Sequence, residues 1–538
     1  MRRFAKIIAL FLAAIAALAF LGAVGAFCLY RSADMGRPDV ALDTTGTVTA
    51  GDGYREYRGN LLRQSANGIW EIYLKGDAAE RGVANAKLAG DIIRGQEDCF
   101  LKQIHHYVPS ESYLKFLRFF TVIFNRNLGR YVPEEYRTEI LGLSTANTDD
   151  YSFFGTPYER QLNYHAAHDI GHMMQDFMLV GCSSFAAWGA SAADSGLIVA
   201  RNFDFYFGDD FSRNKLLMFV EPESGIPFVS VAWPGMIGVV SGMNIKGLTV
   251  TINASKGSLP TSARMPISIL VRRILQYAST IDEAVAIARC CRTFVSESLL
   301  VSSAADRKAV IIEKMPDKMA VYESDSDHLA CTNHFQSEAM RSDPADCQPD
   351  SPYRFATIGR LMAEHSPIDA RSAVAIMRTT SGYDGEDIGL ANEYSLNQSI
   401  AHHTVVFEPC RLRMLVSTSP WQSGAFVCYD LDSVFSRTSD WSHEIATHSA
   451  DIAADTAFDD ENCRNVLKYR AMIERLAGIG RSADLSDSLL VDSLIILNPN
   501  NFHTYKVAAE FWSKCGRRER AELYRRKSDE LVPRLPGR

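Results

Sequence analysis

Residues 178–205 read MLVGCSSFAAWGASAADSGLIVARNFDF, and this stretch sets the expectation for the fold. A Gly-Cys pair at 181–182 opens a run of apolar and small residues, and the stretch closes with the charged run RNFD at 201–204. Apolar residues that alternate along a short run predict a β-strand. A single cysteine in a strand usually serves as a small buried hydrophobe. The position of Cys182 directly after a glycine, with charged residues downstream, raises the question of whether its thiol does chemistry.

The composition fits a multidomain globular protein. The chain has 538 residues, of which 47% are hydrophobic and 22% are charged. A chain of this length is expected to form two or more domains. The net charge of −8, without any long run of Lys and Arg, argues against nucleic acid as a partner.

The N-terminus has the pattern of an export segment. Arg2, Arg3 and Lys6 precede residues 7–30, which carry no charged side chain. This stretch is long enough to cross a bilayer as a helix, and the preceding positive residues favour an orientation with the remainder outside the cytoplasm. We predict a membrane anchor over residues 1–30, with the catalytic part on the periplasmic or extracellular side. A cleaved signal peptide, which would give a secreted protein, is the alternative.

The region between this segment and Cys182 has a mixed pattern. Residues 31–54 lack apolar periodicity and are predicted to be a linker. Residues 55–181 combine a strand near 69–74 with helices, one of which, at 113–124, is apolar nearly all round. A helix of that kind is either deeply buried or in contact with lipid; burial is the commoner case, so we expect burial here.

The part of the chain that follows Cys182 is rich in strands and then helical. Residues 182–445 have strand-like runs and Gly-rich turns, interrupted by helical patterns near 266–290 and 370–378, which predicts sheets covered by helices. Residues 446–538 are predicted to be helical, and 497–530 resemble one tetratricopeptide-type hairpin without a second copy. Such a hairpin could bind a protein partner.

The other cysteines and a histidine-rich stretch were weighed for metal or disulfide chemistry. Cys410 and Cys428 flank a predicted hairpin and could form a disulfide. His165, His168 and His172 share one predicted helix face before the Gly-Cys pair, where they could bind zinc, form local hydrogen bonds or help a propeptide to dock. Their spacing is not a standard zinc motif, so we predict no metal and no cofactor.

A cut between Gly181 and Cys182 would give the cysteine its own base. The new α-amine has a pKa near neutrality and can accept the proton of the thiol. The resulting thiolate is the nucleophile. A preceding glycine permits backbone conformations that other residues avoid, which would help the thiol to attack the Gly-Cys peptide bond.

Polar residues elsewhere could support this chemistry. Residues three apart on a regular strand face opposite sides, so a joint role for Arg201 and Asp204 requires a bend. Given that bend, Asp204 could hold the α-ammonium and Arg201 could lower the pKa of the thiol; a salt bridge at the strand end is the alternative. Asn253 and Asn333 follow predicted strands, where their amides could stabilise an oxyanion or simply form turns.

Four motifs occur in one order along the chain: GCSSFAAWG, ARNFDF, WPGMIGVVSGMNIKGLTVTINASKG and LACTNHF. Together they resemble the N-terminal nucleophile hydrolases, in particular the isopenicillin-N acyltransferase (acyl-CoA:6-aminopenicillanate acyltransferase-like) group, with choloylglycine hydrolase and penicillin V acylase as relatives. The resemblance extends over roughly residues 65–435. It implies an α+β fold of four αββα layers, a propeptide at 55–181 released by self-cleavage, and a catalytic core at 182–445.

The resemblance also implies roles for single residues. Cys182 matches the nucleophile and the new N-terminus, with Arg201 and Asp204 as the charged residues beside it. Asn253 matches the asparagine of the oxyanion hole. Asn333 matches a second asparagine that acts in the transition state.

Two further matches and one departure complete the resemblance. Arg354, in SPYRFATI, matches a later arginine of the family, and residues 70–88 resemble its propeptide signature. His402 and His403 stand where smaller or hydroxyl-bearing residues are expected. This departure leaves the substrate open.

The function expected from these patterns is that of a self-cleaving cysteine amidohydrolase or acyltransferase. It would act on small N-acyl substrates through an acyl-enzyme thioester. One alternative is a lipase-like esterase that uses the same cysteine. Another is an exported scaffold without catalytic activity, which would bind partners through its C-terminal helices.

Overall fold

The helices and strands come from a computed structural model that describes residues 2–173, 179–257, 262–341, 347–436, 444–479 and 488–536. The helices in these ranges are α1 (Arg2–Arg31), α2 (Ala78–Tyr107), α3 (Glu111–Asn125), α4 (Leu128–Tyr131), α5 (Glu134–Leu143), α6 (Pro157–Met173), α7 (Ile267–Tyr277), α8 (Ile281–Cys290), α9 (Asp350–Glu364), α10 (Ala370–Met377), α11 (Leu431–Phe435), α12 (Asp460–Gly478), α13 (Ser488–Leu497), α14 (Phe502–Lys514) and α15 (Arg518–Leu531). The strands are β1 (Thr49–Ala50), β2 (Tyr54–Tyr57), β3 (Asn60–Gln64), β4 (Trp70–Gly76), β5 (Leu179–Val180), β6 (Ser183–Trp188), β7 (Leu197–Tyr206), β8 (Leu216–Pro222), β9 (Phe228–Ala232), β10 (Ser241–Asn244), β11 (Leu248–Ala254), β12 (Glu297–Ser303), β13 (Lys308–Lys314), β14 (Met319–Tyr322), β15 (His328–Cys331), β16 (Ala401–Glu408), β17 (Arg413–Ser417) and β18 (Phe426–Asp430).

Two sheets face each other at the centre of the molecule. One is an 11-stranded sheet in the order β1-β2-β3-β4-β8-β9-β10-β11-β12-β13-β14, in which only β4 and β8 pair in parallel. The other is a 7-stranded sheet in the order β15-β6-β7-β16-β17-β18, with β5 paired to β7. Between the sheets lies a buried apolar cluster that includes Phe219 and Val231 from the first sheet and Val199 and Phe407 from the second.

Helices cover both outer faces of this sandwich. Helices α2, α5, α7 and α8 bury apolar residues against the larger sheet, for example Leu88 and Ile274. Helices α9 and α10 do the same against the smaller sheet, for example with Ile358 and Ile376. The molecule therefore has the four αββα layers of the α+β fold that the sequence predicts.

The region before Cys182 is an integral part of these layers. Strand β4 pairs with β8 from Trp70 opposite Leu216 onward, so this region completes the larger sheet. In helix α5, the buried carboxylate of Glu139 lies 2.7 Å from the Arg81 guanidinium of α2 and 3.2 Å from that of Arg272 in α7. Burial alone would raise the pKa of Glu139, but Arg272 and Arg81 hold it below its ordinary value. Both sheet hydrogen bonds and buried charge therefore connect the two sides of the predicted cut.

The N-terminal apolar stretch forms the single helix α1. Among the residues whose placement is described, no helix is long and apolar enough to span a membrane. The anchor predicted for residues 1–30 is therefore not supported. Helix α3 forms as predicted at 113–124, but the expected burial is wrong for one face: Tyr113, Phe116 and Phe120 are between 51% and 55% exposed. The other face carries the buried Leu114, so α3 covers the molecule from outside.

The C-terminal helices have a core of their own. Helices α12 to α15 share a cluster that includes Tyr469 and Trp512, and α14 and α15 form the hairpin predicted at 497–530. This unit contacts the preceding part of the chain at Leu390, whose carbonyl oxygen accepts hydrogen bonds from the side-chain amides of Asn498 and Asn501, each 2.9 Å long.

The predicted disulfide is absent, because all 11 cysteines are free. Cys410 is exposed in the turn after β16, whereas Cys428 is buried inside β18 opposite Leu415. The two thiols therefore lie in different surroundings, and the expected pairing of Cys410 with Cys428 is wrong.

Replacing Glu139 by glutamine should destabilise the protein strongly. The change leaves the buried cations Arg81 and Arg272 without their shared anion, which costs about 3–5 kcal/mol in comparable cases. Urea unfolding measures the loss. As a control, Glu111→Gln removes an exposed pair with Lys115 on α3 and should change the stability by about 0.5 kcal/mol or less. Equal effects of the two variants would contradict a structural role for the Glu139 network.

Candidate active site

The ladder between β6 and β7 brings Cys182 to the charged residues predicted for it. Ser183 pairs with Asn202 across this antiparallel ladder, and the backbone N–H of Gly181 donates to the carbonyl oxygen of Asp204 at 3.1 Å. Cys182 thus lies at the start of β6, opposite the far end of β7, with only 1% of its surface exposed. The thiol belongs to the buried interior of the uncut chain.

Arg201 is the cation nearest to this thiol. Its Nη2 lies 3.5 Å from the Sγ of Cys182, and its Nη1 donates to the hydroxyl of Ser241 at 2.6 Å. The guanidinium also donates to the backbone carbonyl of Ile252 and stacks 4.2 Å above the ring of Phe203. Burial raises the pKa of the Cys182 thiol to about 11, although the charge of Arg201 acts in the opposite direction. The uncut chain therefore holds its cysteine protonated near neutral pH.

Asp204 lies in the same pocket without a hydrogen-bonding partner. Its side chain is fully buried, and neither carboxylate oxygen accepts a hydrogen bond among the described residues. Burial raises its pKa to about 8, against the opposing charges of Arg354 and Arg201. The salt bridge to Arg201 that the sequence left open is thus not formed. An unpartnered buried carboxyl group is unfavourable, and a cation placed beside it would relieve that cost.

The two predicted asparagines meet at the end of β11. The Asn253 amide nitrogen donates to the carbonyl oxygen of Cys331 at 3.0 Å, and its amide oxygen accepts from the hydroxyl of Ser184 at 3.1 Å. The Asn333 amide nitrogen donates to the carbonyl oxygen of Ala254, one residue after Asn253, at 2.9 Å. An amide nitrogen carries two hydrogens, and these contacts use one hydrogen of each asparagine.

Arg354, assigned only by resemblance, contacts the carbonyl groups on both sides of the peptide bond predicted to be cut. From helix α9 its Nη1 donates to the carbonyl oxygens of Gly181 and Cys182, at 3.0 and 2.7 Å. Its Nη2 donates to Asn333 at 2.9 Å and to Asp350 at 2.8 Å. The structure therefore brings all six predicted site residues into one connected group.

Sequence reasoning missed Gln398, whose amide nitrogen donates to the carbonyl oxygen of Gly181 at 2.7 Å. It lies in an irregular segment before β16, and no motif marked it. Ser241, the partner of Arg201, also went unnoticed. Its hydroxyl lies 2.9 Å from the Nε2 of His403, so one of the two unexpected histidines contacts the site through Ser241.

The histidines flanking this site are uncharged. The Nδ1 atoms of His402 and His403 lie 2.9 Å apart in the buried interior. Burial lowers the pKa of His402 to about 3 and lowers that of His403 as well. His402 and His403 therefore add hydrogen-bonding atoms next to Arg201 without adding positive charge.

The histidine-rich stretch contributes one structural residue. His165 is fully buried, with Nδ1 2.7 Å from the carbonyl oxygen of Gln161 and Nε2 accepting from the backbone N–H of Ile237 at 2.9 Å. Both nitrogens are thus occupied by the protein. The side chains of His168 and His172 lie outside the described part of the chain. Within that part, no cluster of His, Cys, Asp and Glu is suited to hold a metal ion.

An apolar cavity of about 320 Å³ lies close to the site. Its wall comes from α2, α3 and α6, all before the predicted cut, and from Phe205 and Trp233 after it. These two rings stack on each other and on Phe203, the ring that lies under Arg201. The volume falls in the range typical of small-molecule pockets.

The two facing sheets, covered by helices on both sides, have the architecture of the N-terminal nucleophile hydrolases. Residues 191–413 match the model of the family described as acyl-coenzyme A:6-aminopenicillanic acid acyl-transferase. This match agrees with the resemblance that the sequence motifs carry, and it contains every predicted site residue after Cys182. Cys182 itself lies outside the matched range.

The individual proteins that resemble this chain share low sequence identity with it. An uncharacterized protein of Archaeoglobus fulgidus is 23% identical over 362 residues, which cover 60% of this chain and 60% of the relative. The chain therefore spans about 60% of the length of the curated relative it matches. The N-acylethanolamine-hydrolyzing acid amidase ortholog of Caenorhabditis elegans is 17% identical with a TM-score of 0.32, covering 43% of this chain and 93% of its own. Penicillin V acylase of Agrobacterium tumefaciens is 12% identical with a TM-score of 0.33, and the match covers 47% of this chain and 87% of the acylase.

The buried carboxyl of Asp204 should make the stability of the uncut chain depend on pH. Folding raises its pKa from 3.8 to about 8, so its contribution to stability is full below the lower value and is lost as the pH rises through the upper one. In a Cys182→Ala background, replacing Asp204 by asparagine should reduce the loss of stability between about pH 5 and about pH 9.

Urea midpoints at the two pH values give the comparison. Asp43→Asn is the control, because the exposed Asp43 has a pKa lowered to about 2 by hydrogen bonds from Thr45 and titrates below this range. An unchanged pH slope in the Asp204→Asn chain would show that this carboxyl is ionised throughout.

Proposed function

We propose that the protein is a self-cleaving cysteine hydrolase or acyltransferase that acts on N-acyl substrates. The observation that carries the proposal is the arrangement of the Gly181–Cys182 bond. The Cys182 thiol lies beside Arg201, and the carbonyl oxygen of the preceding Gly181 accepts two hydrogen bonds. Among the described residues, the carboxyl group of Asp204 accepts no hydrogen bond. These are the groups that an internal acyl shift followed by acyl transfer requires.

Self-cleavage would supply what Asp204 lacks. Cutting the Gly181–Cys182 bond creates an α-amine on Cys182, whose backbone neighbour Gly181 is hydrogen bonded to Asp204. The ammonium form of this amine would stabilise the ionised carboxylate and lower its pKa. The amine form would accept the proton of the thiol, which the uncut chain keeps protonated.

The same groups would then serve turnover. The Cys182 thiolate attacks an acyl carbonyl, and the remaining amide hydrogens of Asn253 and Asn333 stabilise the oxyanion. The α-ammonium protonates the leaving amine, and the acyl group stays on sulfur as a thioester. Water then releases the acid, or an acceptor amine takes the acyl group. Arg201 keeps the thiolate charge favourable in the buried site.

The cavity beside the site supports an apolar acyl chain as the part of the substrate that is recognised. This proposal requires residues 55–181 to stay bound after the cut and not to be released, and the pairing of β4 with β8 in the larger sheet supports that. Its walls are mostly hydrocarbon and aromatic side chains from α2, α3 and the Phe205–Trp233 stack. Burial of methylene groups contributes about 0.8 kcal/mol each. The export predicted from residues 1–30 remains a prediction, and no step of the mechanism depends on it.

A scaffold function is the second candidate, and the C-terminal helices favour it. Leu489, Ile496 and Leu523 there are between 64% and 80% exposed, and a partner that covered them would bury apolar surface. A lipase-like activity would use the same thiol on esters, so parallel assays with matched amides and esters distinguish it from amidase action.

Intact mass and N-terminal sequencing of the purified wild-type protein should show two chains, the second beginning at Cys182. Cys182→Ala should remain a single chain without acyl-transfer activity, because it lacks the nucleophile. Cys428→Ala, which removes another buried thiol far from the site, should be cut like the wild type. A wild-type chain that turns over amides without being cut would exclude this mechanism, and an uncut inactive one would favour the scaffold function.

Filling the cavity should shift the preference for acyl length. Ile104→Trp on α2 places a larger side chain in the cavity, and kcat/KM for long acyl chains should fall at least about tenfold more than for short ones. Ile287→Trp on α8, which does not line the cavity, is the control. Equal losses for long and short chains would mean that the acyl group binds elsewhere.

A further inference from the structure

The carbonyl oxygen of Gly181 accepts hydrogen bonds from two side chains that come from distant parts of the chain. The Gln398 amide donates to it at 2.7 Å, and the Arg354 guanidinium donates at 3.0 Å. If the Gly181–Cys182 bond is the one that is cut, this oxygen becomes the oxyanion of the cleavage step. The two donors are then already aimed at the developing charge.

The approach of Gln398 depends on Gly181 having no side chain. A Cβ atom at position 181 would lie 2.5 Å from both the amide nitrogen and the amide oxygen of Gln398. Any other residue would therefore push this amide away from the carbonyl group. The requirement for glycine is thus a matter of space for the donor, and it explains the Gly-Cys pair better than backbone freedom alone.

The segment that carries Gln398 is fixed from several sides. The backbone N–H of Asn397 donates to the carbonyl oxygen of Thr379 at 2.8 Å, and the Asn397 side chain accepts from the backbone N–H of Ser399 at 3.0 Å. Arg470, from the C-terminal helix α12, donates to the carbonyl oxygen of Ser399. The Gln398 amide is therefore held in place before any cleavage occurs, which is what stabilisation of a transition state requires.

The asparagines predicted for the oxyanion hole have other contacts in the uncut chain. The amide of Asn253 donates to Cys331 and that of Asn333 to Ala254, so neither of these bonds is to the Gly181 oxygen. The uncut chain thus separates two sets of donors. One set donates to the carbonyl oxygen of Gly181, and the other donates to the carbonyl oxygens of Cys331 and Ala254.

We propose that Gln398 and Arg354 form a separate oxyanion site that serves self-cleavage, whereas Asn253 and Asn333 serve turnover. This assignment rests on the proposed function. The Sγ of Cys182 bonds to the carbonyl carbon of Gly181, and an electron pair moves onto the oxygen held by Gln398 and Arg354. The C–N bond then breaks, and the proton of the thiol ends on the Cys182 nitrogen. Water hydrolyses the thioester to a Gly181 carboxylate and the free Cys182 thiol.

The test follows the conversion of the full-length precursor after cell-free synthesis, with time points resolved by mass. Gln398→Met keeps the length of the side chain but removes the donor, and the half-time of conversion should increase about 100-fold. Gln422→Met is the matched control, because Gln422 is a buried glutamine that does not contact Gly181. It should convert at the wild-type rate. Limited proteolysis shows whether each precursor is folded.

A second variant decides the matter if Gln398→Met does not fold. Gln398→Glu can donate only while its carboxyl is protonated, so its conversion should slow, relative to the wild type, as the pH rises. A purely structural role for Gln398 would not give this pH profile. If the wild type is cut and both variants convert at its rate, the assignment of Gln398 is wrong although the proposed function stands. If the wild type is not cut, the proposed function itself fails.

Discussion

The pairing of β7 on both of its edges is the constraint on which the site depends. Strand β6 lies along one edge and β16 along the other, so β7 cannot slide without breaking two ladders. This fixes Arg201 and Asp204 relative to the start of β6, where Cys182 lies. The bend expected after Arg201 is not seen in β7, which continues through Asp204 to Tyr206; the irregularity lies opposite Asp204, as a register shift between Ala401 and His403 in β16. A local irregularity at a paired strand is a common way to redirect a side chain beside an active site.

Charge in this interior is distributed unevenly. Both buried arginines of the site, Arg201 and Arg354, donate to several carbonyl oxygens and side chains. Among the described residues, neither carboxylate oxygen of Asp204 accepts a hydrogen bond, and the Nε atoms of both arginines have no partner either. The Nη atoms of both arginines are thus hydrogen bonded in the intact chain, whereas the carboxyl group of Asp204 is not. His402 and His403 are neutral and add no further positive charge. The intact chain therefore holds a site that favours a new cation, which the proposed cleavage would supply.

Local sequence patterns predicted the strands and the site residues that belong to a single motif. The strands that carry Cys182, Arg201, Asp204 and Asn253 follow from short apolar runs, and the family motifs assigned their roles. Gln398 could not be predicted, because its contact joins residues 217 positions apart and its own segment is irregular. Such a contact exists only once the sheets have formed.

The errors have the same origin. Helix α3 is apolar nearly all round, which predicts burial, yet three of its aromatic rings lie at the surface. The expected Cys410–Cys428 disulfide came from spacing along the chain, whereas the turn after β16 and the interior of β18 separate the two thiols. In both cases the pattern gave the element correctly, and the tertiary arrangement decided what its side chains contact.

The parallel pairing of β4 with β8 has a consequence for the order of events during biogenesis. Trp70 and Leu216 pair across the bond that is proposed to be cut, so in the intact chain this contact closes a loop within one molecule. Were the bond cut first, the same strands would have to find each other as separate fragments, at a rate set by their concentration. The thiol of Cys182 contacts Arg201 only after β6 has paired with β7. In the proposed mechanism, assembly would therefore precede scission, and the covalent link would act as a tether that is needed once and then becomes dispensable.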